Sequence, residues 1–171
     1  MRKLFLVFSI TILSIPPAFA DVVTRYIPNA QIVGSGRLTV LFWDAYDATL
    51  YAPTKRYDAS KPFALKLTYL TEAAGEDIVT ISVDEMRAQG GVSETKLSLW
   101  LTEMRQIFPN VQEGDSIVGI YLPQTGVTRF YKNNMMIGAL EDREFGKHFF
   151  DIWLAENTSE PTLRRQLLGL K

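Results

Sequence analysis

The chain has 171 residues, 47% of them hydrophobic, with 18 Lys and Arg against 19 Asp and Glu, no Cys and a single His. That is ordinary globular composition, which excludes a disordered or collagenous chain, and near-neutrality without a basic block argues against a nucleic-acid surface. Lack of Cys removes disulfides, thiolate metal sites and thiol nucleophiles, and one histidine, His148, rules out a multi-histidine centre; we expect neither metal nor cofactor.

Residues 1–20 have the layout of a cleavable export signal. Arg2 and Lys3 form a positive start, 4–15 is apolar, Pro16 and Pro17 break the run, and Ala18-Phe19-Ala20 supplies a small-x-small cleavage site. Twelve residues of helix rise about 18 Å, too short for a hydrocarbon core of roughly 30 Å. We expect cleavage after Ala20, a periplasmic or secreted product spanning 21–171 as one domain, and no transmembrane span in it. Losing two basic residues takes the formal net charge from −1 to −3.

The stretch 37–51 is rich in β-branched and aromatic residues and reads as one long strand with apolar side chains on both faces. After a loop bounded by Pro53 and Pro62, 63–71 alternates more cleanly, with Phe63, Leu65, Leu67 and Tyr69 on one face. Helical spacing follows over 76–89, closed by Gly90-Gly91, and again after Ser93, a candidate N-cap, up to Pro109. Segments 116–122, 127–131 and 135–140 are short strands joined by turn-forming residues, an antiparallel meander. Asp142 and Ser159 can cap two closing helices. Strands and helices come in groups without βαβ alternation, so the expected class is α+β, with helices layered on one antiparallel sheet.

Candidate chemistry is sparse. His148 stands in no recognisable catalytic motif. Asp44 and Asp47 are three apart and point to opposite faces of a regular strand, while Asp84 and Glu85 read as solvated. Arg37 follows Gly34-Ser35-Gly36. Either its head lies in water at the strand entrance, or it points into a cleft and then demands an anionic or carbonyl partner, because a buried unpaired guanidinium is very costly. Tyr46 and Tyr51 lie further along and fall on opposite faces under strict alternation.

Gly34-Ser35-Gly36-Arg37 followed by the run from Trp43 to Tyr51, then in order 63–70, Phe130-Tyr131-Lys132-Asn133, 138–142, 149–154 and 159–169, resembles the chalcone isomerase-like family, in particular its exported bacterial branch. The resemblance implies an open-faced β-sandwich, a large antiparallel sheet with a helical layer and a cleft between them. It implies one of two activities: the plant enzymes cyclise a chalcone to a flavanone, whereas non-catalytic relatives bind fatty acids, holding the carboxylate with Arg and Tyr. Arg37 matches the family Arg, in a Gly-rich turn before the strand, and Tyr46 falls near a Thr of the enzymes. Ile78 and Glu85 fall where the enzymes carry a catalytic Tyr and Asn, so two substrate-binding groups are replaced. The expectation is therefore an exported, non-catalytic protein that binds a small amphipathic molecule, a fatty acid or a phenolic, through Arg37, Tyr46 and Tyr51. The alternatives are an isomerase acting on a chalcone-like phenol and a structural or partner-binding module of the cell envelope.

Overall fold

The computed structural model describes residues 21–170; the expected export signal, 1–20, lies outside them. Eleven elements follow Asp21: α1 (Val22–Tyr26), β1 (Gln31–Val40), β2 (Trp43–Ala52), β3 (Phe63–Tyr69), α2 (Gly75–Gln89), α3 (Glu94–Ile107), β4 (Ser116–Leu122), β5 (Val127–Lys132), β6 (Met135–Glu141), α4 (Arg143–Leu154) and α5 (Pro161–Leu168). The six strands form one antiparallel sheet in sequence order. The pair α2–α3 is inserted between the adjacent strands β3 and β4. The class is α+β, as expected.

One face of the sheet carries Ala48, Leu50, Phe63, Leu65, Leu67, Ile117 and Phe130 into the main core, where the longer helices cover them. α4 contributes Phe145, Phe149, Phe150 and Trp153, and its aromatic rings pack edge-on at 4.9–5.5 Å from neighbours such as Phe63 and Phe130. The opposite face holds a smaller core: Ala64, Val118, Ile120 and Tyr131 under Val22, Val23 and Ile27 of the N-terminal turn of helix. The Tyr26 and Tyr131 hydroxyls are 2.7 Å apart across it. α1 has only five residues and no periodicity, so the sequence pattern did not announce it; Asp21 caps it by accepting from the Val23 amide.

Caps at Ser93 and Asp142 form as the sequence suggests: Ser93 accepts from the Lys96 amide, and Asp142 from those of Glu144 and Phe145. At α5 the expectation is corrected. Pro161 occupies the first turn, so the helix begins one residue later with Glu160 at its N-cap, and the Ser159 hydroxyl instead donates to Glu85 at 2.8 Å.

The long strand expected over 37–51 is a hairpin. β1 and β2 pair tightly from Val40–Trp43 inward, joined by Leu41 and Phe42. Leu41 takes a left-handed φ of 56°, uncommon for a bulky side chain, and Leu-Phe carries no turn chemistry, which is why the pattern reads straight through. The tip is exposed: Leu41, Phe42 and Trp43 keep 85%, 95% and 77% of their surface. The Gly34-Ser35-Gly36 segment is likewise not a turn but the middle of β1, where the backbone of α5 rests on the strand.

Candidate functional site

Between the sheet and the helices lies a cavity of about 420 Å³. Leu65, Leu67 and Tyr69 of β3, Tyr46 of β2, and Phe149, Phe150 and Trp153 of α4 form its floor and back. Ile78, Ile81, Ser82 and Glu85 of α2 form one wall, at the one-, three- and four-residue steps that bring helical side chains to a single face. Its lining reaches the surface at Val40 and Ile81, which are 52% and 62% exposed, so the opening lies between α2 and the β1–β2 hairpin.

The lining is mostly hydrocarbon, and several of its polar groups, Glu85, Ser159 and Glu160, lie near the Tyr46 hydroxyl. Tyr46 accepts a 2.8 Å hydrogen bond from Trp153 Nε1 and leaves its own proton without an acceptor among the described residues. Tyr69 is 6% exposed, stands 5.9 Å from Tyr46 ring to ring, and its hydroxyl makes no hydrogen bond among the described residues. Burial pushes the Tyr46 phenol up to about 12; the bond from Trp153 opposes the rise, and the nearby carboxylates of Glu160 and Glu85 add to it. Burial also raises Tyr69, with Tyr46 a lesser cause. Asp77, Glu85 and Glu160 all line the cavity, no Lys or Arg does, and none of the three forms an ion pair among the described residues.

Of the three residues singled out from sequence, only Tyr46 lines this cavity. Arg37 does not face it. Gly36, Leu38 and Val40 of β1 face the helices, so Arg37, between Gly36 and Leu38, projects from the other face of the sheet, where it is 48% exposed. It donates from Nε to Asp47 and from Nη1 to Asp44, both at 2.7 Å, and both bonds raise its already high pKa. Asp44 is held below the usual carboxylate range, first by the Thr39 hydroxyl and then by Arg37. The two aspartates share a face because Leu38 pairs with Tyr46 while Thr39 pairs with Asp44, leaving Ala45 as an extra residue. That bulge reverses the alternation that assigned Asp44 and Asp47 to opposite faces. Tyr51 lies on the side of the smaller core, beside Ala64, and is not brought together with Tyr46.

Ile78 and Glu85, the positions matched to two catalytic residues of the enzymes, are both in the cavity wall. Tyr69, Asp77, Ser82 and Glu160 were not singled out. Tyr69 was legible from the alternation of β3, and Asp77, Ile81 and Glu85 recur every fourth residue along α2. His148 lies outside the lining, packed near Trp100, with Nδ1 buried and unpartnered among the described residues; burial lowers its pKa, with Lys147 a further cause. The described residues hold no cluster of His, Asp and Glu suited to a metal ion, and no helix among them is long and apolar enough to cross a membrane.

An uncharacterized protein of Haemophilus influenzae is 28% identical over 140 residues, covering 81% of this chain and 68% of the relative. The crystal structure of a fatty-acid binding protein of Arabidopsis thaliana superposes with a TM-score of 0.64 at 13% identity, covering 82% of this chain and 87% of that one. At such low identity the likeness shows a shared fold. Residues 19–169 match the family described as chalcone isomerase-like. With a six-stranded antiparallel sheet, a helical layer and a match over nearly its whole length, the chain belongs to the chalcone isomerase-like family.

Proposed function

We propose that this protein binds a small amphipathic molecule in the cavity between sheet and helices and does not transform it. The observation that carries the reading is a largely hydrocarbon-lined space of about 420 Å³ with phenolic hydroxyls at one side. Such a site removes an alkyl chain from water at about 0.8 kcal/mol per CH₂, so a ten-carbon chain gains on the order of 8 kcal/mol before the cost of association. The Arabidopsis structure is that of a fatty-acid binding protein, which supports the same class of ligand, and a fatty acid is the first candidate it suggests.

Chalcone cyclisation is the weaker reading for this chain. It needs donors aimed at a phenolate and at a developing enolate. The lining offers Ile78 and Glu85 at the two matched positions, and its three carboxylates oppose negative charge. The start of the chain further supports a protein that acts outside the cytoplasm, in the periplasm or beyond.

Trp153 lines the cavity and reports on it. In a Trp43→Phe background, which removes the exposed indole at the hairpin tip, decanol is expected to shift the Trp153 emission saturably. Ser82→Phe, which places a ring in the cavity, is expected to abolish the shift while the circular dichroism spectrum stays native. Calorimetry detecting no binding of decanol, or of a charged ten-carbon amphiphile of either sign, to the native protein, with emission unchanged, would overturn the proposal.

A further inference from the structure

The polar end of the cavity has a sign, and it is negative. Glu85 and Glu160 come from different helices, yet both act on the Tyr46 hydroxyl. Glu85 is held by the Ser159 hydroxyl at 2.8 Å. Glu160 stands at the N-cap of α5 but makes no capping bond with its side chain, so its carboxylate remains free of the helix amides. The N-terminus of α5 supplies about half a positive charge, too little to neutralise two carboxylates. The Tyr69 hydroxyl, on a residue 6% exposed, has no partner among the described residues and lines the same space.

The Tyr46 hydroxyl already accepts from Trp153, so its free proton suits an acceptor, whereas the Tyr69 hydroxyl can donate or accept. The fixed carboxylates are what discriminate. A ligand carboxylate brought beside them adds like charge in a partly desolvated site, whereas an ammonium, with three donors and no acceptor, finds its acceptors in Glu85 and Glu160.

Resting on the binding reading above, we propose that the cavity selects a single-chain amphiphile with a protonated amine at its polar end, the amine held by Glu85 and Glu160 and the chain lying against Leu65, Leu67 and Phe149. This narrows the ligand class away from the fatty acid.

The test compares decylamine, decanol and decanoate on the native chain near pH 7 by titration calorimetry, below the concentrations at which they aggregate. The amine is expected to bind about tenfold tighter than the carboxylate, with the alcohol between them. Glu85→Gln with Glu160→Gln is expected to bring all three within about threefold. Raising salt on the native protein gives the same answer without a variant: amine affinity falls and alcohol affinity does not. Decanoate binding as tightly as decylamine, or a preference for the amine that survives both the substitutions and high salt, overturns this assignment and leaves the binding reading intact. Failure of all three to bind overturns both.

Discussion

Replacing Gly34 with alanine tests how the last helix is seated. A Cβ at Gly34 would come within 2.6 Å of the Leu167 carbonyl oxygen and 2.9 Å of its carbon, and closer still to the carbonyl oxygen of Gln166. These are backbone atoms and cannot rotate aside, so α5 would have to withdraw by roughly an ångström to restore ordinary contact. Withdrawal loosens Leu163 and Leu167, which are 2% and 0% exposed. Overpacking of this kind costs about 1–3 kcal/mol, and the stiffer unfolded chain returns at most about 1. Because every close contact is to backbone, the cost lies near the upper end and the net loss is about 2–3 kcal/mol; in a chain of this length each kcal/mol moves the midpoint by about 2–4 °C, so melting followed by circular dichroism is expected about 4–12 °C lower. Gly36→Ala is the control. Its Cβ meets the ends of the Gln166 and Leu163 side chains, which can turn away, and otherwise only the Gln166 Cβ at 2.9 Å, with no backbone atom among its nearest contacts, so its shift is smaller. Equal melting of Gly34→Ala and the native protein would refute direct backbone docking of α5 on β1.

Arg37→Ala is expected to leave binding of decyl compounds within about twofold of native, because its guanidinium projects from the other face; a tenfold loss by calorimetry would contradict that placement. The Tyr46 phenol, raised mainly by burial to about 12, contributes stability that is present below about pH 10 and lost as pH rises toward 12. That contribution is about 3 kcal/mol, so the urea midpoint is expected to fall across this window and to fall less in Tyr46→Phe; an equal decline in both proteins would sink the assignment. Asp115 is lowered to about 2, first by Lys132, then by Asn133 and the Gln112 amide. Its contribution is present above about pH 4 and lost as pH falls toward 2, and a carboxyl carbon that titrates in the ordinary range by NMR would contradict the contacts.

How much of this was legible depended on whether a local signal existed. Amphipathic helices declare themselves by period, and Ser93 and Asp142 by their place before such a run, so these elements fell where the pattern put them. The hairpin did not, because Leu41 and Phe42 make a turn with residues that ordinarily extend a strand. The Ala45 bulge was equally silent: one extra residue leaves composition unchanged and reverses parity for everything toward the tip. Arg37 was a reasonable candidate on chemical grounds, and its face could be decided only by knowing where alternation starts. The cavity's acidic side drew one carboxylate from the second half of α2 and one from the start of α5, two elements with α3, three strands and α4 between them. No window along the sequence joins them, and Glu85 alone reads as one more solvated side chain.

The apolar hairpin tip separates two properties that usually travel together. Leu41, Phe42 and Trp43 rest on almost nothing, so Phe42→Ser should leave the melting point where it was while raising the concentration at which molecules begin to stick to one another. Environment-sensitive dyes will light up on the same three side chains. A bright signal from such a dye therefore reports the rim and the interior at once, and only the difference between native and tip-substituted protein isolates what lies inside.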